Sequence, residues 1–363
     1  MGALGRALGI GGGASPRPMK LSRAAVLDEP RRLRVGERPT ARVGPGEARV
    51  RMAATAICHT DLEIYTGRHP GVRYPVVMGH EATGVVEAVG PEVSRLQPGQ
   101  RVVINPIIAC GSCDCCARGQ GNLCRRAGLM GREVPGSLAD DLVLAEGYLH
   151  PLPDHLELAS ATLIETLATV RHAQERARIT AGEAVVVLGQ GAAGLLHTQL
   201  ARLSGASPVV AVSRSAGKLA LARRMKADHV VDASRQDPVA EVLGVTGGQG
   251  ADVVVDAAGA PELMGAAVAM LRPGGRVLVY GISHRPLPDF TTFPLYFKEL
   301  TIIGSRALTA VDMEPAIRLV ASGAVDLDGF VTASYPLGRV AAAFEDYERA
   351  PEAILRLVIV SGD

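Results

Sequence analysis

Tryptophan is absent from this chain of 363 residues, and aromatic residues of all kinds make up only 3% of it. A surface that stacks nucleic-acid bases needs exposed rings, so that function class is excluded first. Charge is also scarce in net terms. The formal value is +1 with 21% charged residues, which leaves no broad basic field to attract a polyanion. No apolar run reaches the ~20 residues a membrane helix needs, since each is broken by Gly, His, Gln or a charge. Residues 1–18 are rich in Gly and Ala, carry Arg6 and Arg17, and lack the continuous apolar centre of a signal peptide. Arg6 also breaks the myristoylation pattern that a Met1-Gly2 start would require. This stretch is expected to be a disordered leader, and the protein is expected to be cytoplasmic. The hydrophobic interior must be built from Ala, Val, Leu and Ile, and the length implies two domains.

Cysteine is equally sparse, with six in all, yet five fall within residues 110–124. Cys110, Cys113, Cys116 and Cys124 read C-x2-C-x2-C-x7-C. Four thiolates on short loops suit the tetrahedral, closed coordination of structural zinc better than a disulfide framework. Cys115, adjacent to Cys116, is expected to point away, because neighbouring side chains on a tight loop do not readily serve one tetrahedron.

The first part of the chain carries short Val-rich runs at 49–53, 84–89, 101–104 and 142–145, separated by Gly and Pro. That pattern predicts a mostly β domain with the cysteine lobe as an excursion. A helical stretch follows from 159 to 177. Buried strands are then predicted at 185–188, 209–212, 229–231, 253–256, 277–280 and 301–303, alternating with amphipathic helices. This alternation predicts an α/β architecture with a doubly wound parallel sheet. After about residue 310 a helix and a closing strand at 355–360 are expected to return to the first domain. The expected division is therefore 19–160 with 310–363, and 161–309.

The strand at 185–188 runs into Gly189-Gln190-Gly191-Ala192-Ala193-Gly194 and then a helical segment. At such a junction the glycines allow a tight turn and close backbone approach, and the helix start offers amide donors to a pyrophosphate. About twenty residues on, where an acid would accept hydrogen bonds from the ribose hydroxyls of NAD, the chain has Ser213-Arg214. A cation in place of an acid favours NADP, and Lys218 adds a second. NAD stays as the alternative cofactor.

Cys58-His59-Thr60-Asp61 holds the cysteine outside the lobe, and Gly79-His80-Glu81 follows. Thiolate, imidazole and carboxylate are the ligand types zinc uses when it keeps a position open. Together with the four-cysteine lobe and the glycine fingerprint, in this order and spacing, these segments make the chain resemble the zinc-dependent medium-chain alcohol dehydrogenases, in particular the sorbitol, threonine and secondary-alcohol branch. The resemblance covers about 340 residues. It implies a GroES-like catalytic domain interrupted by a Rossmann domain, two zinc ions per chain, and a catalytic zinc held by Cys58 and His80, with Glu81 and Glu165 sharing the remaining role. It also implies that Thr60 relays the substrate proton, that Asp61 supports the ligands, that His59 and Arg356 contact the pyrophosphate, and that Thr169 lies beside the nicotinamide. Glu63 stands where several members have a relay histidine.

Two competing assignments keep the fold but change the function. A zinc-independent NADPH-linked quinone or enoyl reductase predicts activity that survives chelation. A non-enzymatic NADP- or zinc-binding sensor predicts cofactor binding without turnover. Segments 64–74 and 289–296 are expected to shape the substrate pocket, whose preference among polyols, amino alcohols and simple secondary alcohols the sequence does not specify. The resemblance further implies a homodimer or homotetramer paired through residues 281–305, with a small alcohol or carbonyl compound as the other partner.

Overall fold

The computed structural model describes residues 21–288 and 290–361. The leader expected at 1–18, and Asp289 of the expected pocket segment, lie outside the described residues. The chain opens with an antiparallel hairpin, Leu21–Glu29 against Arg32–Pro39, extended by Val76–Val77. Beside it lies a seven-stranded sheet in the order Leu149–Pro151, Arg101–Ile104, Glu81–Val89, Glu47–Ile57, Arg356–Val360 and Val331–Pro336, with Asp141–Ala145 on the first half of Glu47–Ile57. The centre of this sheet is Glu47–Ile57, whose Ala-rich end is buried. Gly84 is required there, because a Cβ at that position would meet Arg51 O at 2.5 Å.

One pairing brings distant sequence together. The closing strand Arg356–Val360 lies antiparallel to the end of Glu47–Ile57, with Leu357 opposite Ile57. On the other side of the same strand end, Glu81 faces Ala56. Glu81 and Arg356 thus sit one strand apart across the segment that leads into Cys58.

The second sheet has six parallel strands. Numbered in chain order as Val185–Leu188, Val209–Ser213, His229–Asp232, Ala251–Asp256, Leu271–Val279 and Thr301–Gly304, they lie in the order 3-2-1-4-5-6. That is the doubly wound Rossmann order. The apolar Val runs are buried on both faces, as parallel strands covered by helices must be. Leu271–Val279 begins earlier than the sequence pattern indicates, since its register shifts where Pro273 and the following glycines bulge out.

The helix Leu163–Ala177 joins the two units. Leu163, Ile164, Leu167 and Val170 are fully buried and belong to one core that includes Val103 and Ile107 of the first unit and Leu195 and Leu196 of the second. Each such side chain contributes about 1.5–3 kcal/mol of burial. Arg178 ends the helix in a left-handed conformation at φ 52°. Among the described residues, no helix is long and apolar enough to cross a membrane.

Candidate active site and metal centres

Cys58 precedes the helix His59–Thr66. Its amide donates to Asp61 Oδ2 at 3.0 Å, while Gly79 N donates to Asp61 Oδ1 at 3.2 Å. Asp61 is fully buried and so pins together the two segments that carry Cys58 and His80. His80 Nε2 then lies 3.2 Å from Cys58 Sγ, and its Nδ1 lies 3.4 Å from Asp61 Oδ1 with no other partner. Burial alone would pull His80 down, but Cys58 and Asp61 raise it well above the ordinary imidazole value. Burial pushes the Cys58 thiol up.

These donors fit a metal. A soft sulfur and an imidazole nitrogen converge in a buried site, with a carboxylate behind the far ring nitrogen, the arrangement that fixes a metal-binding tautomer. Cys58, Asp61 and His80 form one compact group of candidate ligands. Glu81 is not in that group. Both of its oxygens accept from Arg356, at 2.8 Å from Nε and from Nη2, and Arg356 also donates to Thr166 Oγ1 at 3.2 Å. Glu165, in the first turn of Leu163–Ala177, is buried nearby, and burial together with the charge of Glu81 pushes it up to about 8. Arg356, expected at a pyrophosphate, is thus bound to Glu81 in this structure.

The lobe has the geometry of a second metal centre. Tetrahedral zinc with Zn–S of about 2.3 Å sets sulfurs about 3.8 Å apart. Here Cys110 and Cys116 are 3.9 Å apart, Cys113 and Cys116 3.5 Å, and Cys113 and Cys124 3.7 Å. Amides of Cys110 and Arg126 donate to Cys124 Sγ, and Arg126 Nη2 lies 3.3 Å from Cys110 Sγ. An amide hydrogen bond from Ser112 brings Cys110 down to about 5. Cys115 Sγ instead lies near Arg118, outside the four.

At the second sheet, Gly189 takes φ +87°, and a Cβ on Gly194 would collide with Gly189 O at 1.9 Å, so turn and helix pack as closely as only glycine allows. Gly191 faces open space, and its neighbours Ala192 and Ala193 begin the helix Ala192–Leu203. A bare helix start with room in front suits a pyrophosphate. Thr169 donates to Thr166 O and accepts from Tyr280 at 2.6 Å. Thr60 is half-buried, and His59 is exposed with Glu63 3.8 Å away.

Two residues near the site, Glu352 and Tyr280, carry no motif of their own, and Arg356 has a partner different from the expected one. Glu352, from the segment before the closing strand, lies 3.4 Å from Lys218 Nζ and 3.8 Å from Arg214 Nη2. For Arg356 the signal lies in the apolar run Leu-Arg-Leu-Val-Ile-Val, where a buried arginine needs a counter-charge, and Glu81 supplies it in place of a pyrophosphate. Tyr280, expected as the end of a strand, reaches Thr169 through its hydroxyl.

Comparison with known proteins agrees with this architecture. The family described as alcohol dehydrogenase GroES-like domain matches residues 44–154, and that described as zinc-binding dehydrogenase matches 192–322. The chain is 33% identical over 299 residues to D-arabitol-phosphate dehydrogenase of Enterococcus avium, covering 82% of this chain and 85% of that protein. It is 32% identical over 331 residues to sorbitol dehydrogenase of Bombyx mori, covering 89% and 94%. The NADP-bound structure of a protein described as a zinc-binding dehydrogenase, from Sinorhizobium meliloti 1021, superposes with a TM-score of 0.86 at 29% identity, covering 94% of this chain and 99% of that one. The chain therefore belongs to the zinc-dependent medium-chain alcohol dehydrogenase family.

Proposed function

We propose that this enzyme moves a hydride between a secondary alcohol of polyol type, or the matching carbonyl compound, and a nicotinamide dinucleotide, with NADP favoured over NAD. The observation that carries the reading is the convergence of Cys58 Sγ and His80 Nε2 at 3.2 Å beside the helix that joins the two units. The polyol substrates named for the relatives support the substrate class.

Cys58 and His80 would hold the catalytic zinc, with Glu165 as the third protein ligand and Glu81 held back by Arg356. Bound there, zinc supplies the Lewis acidity that makes a substrate hydroxyl acidic near neutral pH, and the nicotinamide accepts the hydride. Asp61 keeps the His80 ring in place through its Nδ1 side. Thr60, two residues after Cys58 and half-buried, takes the hydroxyl proton outward, and His59 with Glu63 continues toward solvent. Cys110, Cys113, Cys116 and Cys124 would hold the structural zinc, which has no open position.

The NADP preference rests on Ser213 and Arg214 at the end of the second strand and on Lys218 in the helix Ala216–Arg224 that follows. Glu352 opposes it by partly neutralising both cations. A turnover screen of alcohols and ketones with NAD and NADP in parallel, on zinc-replete protein, tests the reading. Turnover that survives complete chelation would return the assignment to a zinc-independent reductase, and a tenfold preference for NAD would end the cofactor argument. The outermost strand Thr301–Gly304 and the exposed Phe293, Tyr296 and Phe297 support a homo-oligomer. A monomeric mass by light scattering is the contrary result.

A further inference from the structure

We propose that the meeting point of three loops beside the Cys58–His80 segments carries an anion subsite, formed by His69, Arg132 and His284, that receives the phosphate monoester or carboxylate at the far end of a hydroxylated substrate. The proposal rests on the dehydrogenase reading and adds a charge to the substrate.

Three segments meet at this point. One follows the helix that Cys58 begins, one is the tight turn after the cysteine lobe, and the third is the loop after strand Leu271–Val279 of the Rossmann unit. Arg132 Nη1 lies 3.4 Å from His69 Nε2. His69 Nδ1 lies 2.9 Å from Pro70 O and donates to it, which leaves Nε2 toward the guanidinium. The rings of His69 and His284 meet edge to face, 5.7 Å between centroids. Arg132 is braced from its own turn, with Nε 2.5 Å from Glu133 Oε1 while Glu133 Oε2 accepts from Leu129 N. The guanidinium is thereby anchored at Nε, with an Nη group turned to the imidazoles.

The cluster is tied to the catalytic segments. Gly131, next to Arg132, packs so tightly on Gly79 that a Cβ would lie 2.7 Å from Gly79 N, and Gly79 immediately precedes His80. His69 stands two residues beyond Gly67, the left-handed cap of the helix His59–Thr66.

Charge makes the same point. Across 64–74, 129–134 and 281–288 the chain carries Arg68, His69, Arg73, Arg132, His284 and Arg285 against a single carboxylate, Glu133. Arg285 is already bound to Glu262. With Arg132 paired to Glu133 and Arg285 to Glu262, the surplus positive charge of these segments is that of Arg68 and Arg73, which a neutral polyol does not balance. A phosphate or carboxylate answers it, because guanidinium N–H groups match two anionic oxygens and His284 adds a further donor, while His69 accepts from Arg132 and holds the guanidinium in place. Since His284 belongs to the other unit, the anion would also bridge the two units.

Calorimetric titration of zinc-replete enzyme with the dinucleotide site filled tests the subsite. The probes are a five-carbon polyol, its terminal phosphate monoester and the matching aldonate. The expected result is that at least one anion binds tenfold or more tightly than the neutral polyol. That ratio should collapse in Arg132→Gln, recover in part in Arg132→Lys, and fall in His284→Asn, whose side chain is exposed. Whichever anion binds better identifies the terminal group. Equal binding of all three probes, or a ratio retained in both Arg132→Gln and His284→Asn, overturns the subsite. Turnover in the same samples separates the two readings. Oxidation of the neutral polyol without anion preference keeps the dehydrogenase and removes the subsite, whereas anion preference in binding without any turnover keeps the subsite and removes the dehydrogenase.

Discussion

Glu81→Gln is the substitution that most directly probes how the centre is assembled. Glu81 and Arg356 are 3% and 8% exposed and share two hydrogen bonds of 2.8 Å. The amide keeps the shape of the carboxylate but leaves the guanidinium, which cannot give up its proton, buried without a counter-charge. Breaking a buried pair from one side costs about 3–5 kcal/mol. Unfolding entropy near 60 °C is roughly 2.1 cal/mol/K per residue, so for a cooperative unit of about 200 residues this corresponds to a fall in Tm of ~7–12 °C. Arg356→Met should cost a similar amount by stranding Glu81. The double variant, with both charges gone, should regain most of the loss, because well-packed neutral side chains often replace a buried pair at little cost. The assay is calorimetric melting of the four proteins at equal zinc content. Single variants within about 2 °C of the parent, or losses that simply add in the double variant, would refute the claim that Glu81 is held by Arg356.

Other consequences follow from the same geometry. Cys113→Ser should remove one zinc per chain and lower Tm, while Cys115→Ser should change neither, as read by elemental analysis and melting. Glu352→Gln should raise the NADP to NAD ratio of kcat/KM several-fold by freeing Lys218 and Arg214; an unchanged ratio would mean that neither cation meets the cofactor. Asp312 accepts from Thr309 N and Thr309 Oγ1 and pairs with Arg171. Burial opposes ionisation, yet hydrogen bonding from His172 and Thr309 holds its carboxyl below the usual range. Its stabilising contribution is therefore full above the ordinary carboxylate pKa and lost as pH falls through the lowered value, so Asp312→Asn should flatten the acid limb of a stability profile measured by denaturant melts.

The α/β architecture was legible because buried parallel strands must be apolar throughout, and runs such as Val185–Leu188 admit no other placement. The Leu21–Glu29 hairpin was not, because Arg, Asp and Glu interrupt its alternation and its stability comes from pairing rather than composition. Within the site, Cys58, His80 and the lobe cysteines were legible through ligand chemistry and spacing. The partners of Arg356 and Lys218 were not, since Glu81 lies 275 residues from the first and Glu352 134 from the second, and only the folded chain brings them together. The subsite at Arg132 was hidden for the same reason: its members come from three loops with no shared motif.

The central claim is that catalysis depends on a zinc held by Cys58 and His80, separate from the lobe. Elemental analysis and alcohol turnover measured together on the parent and on His80→Ala test it. The account predicts two zinc ions per chain in the parent, one in the variant, and loss of at least 100-fold in kcat/KM with the lobe intact. A variant that keeps two zinc ions, or one that loses zinc and still turns over alcohol at the parent rate, would contradict it.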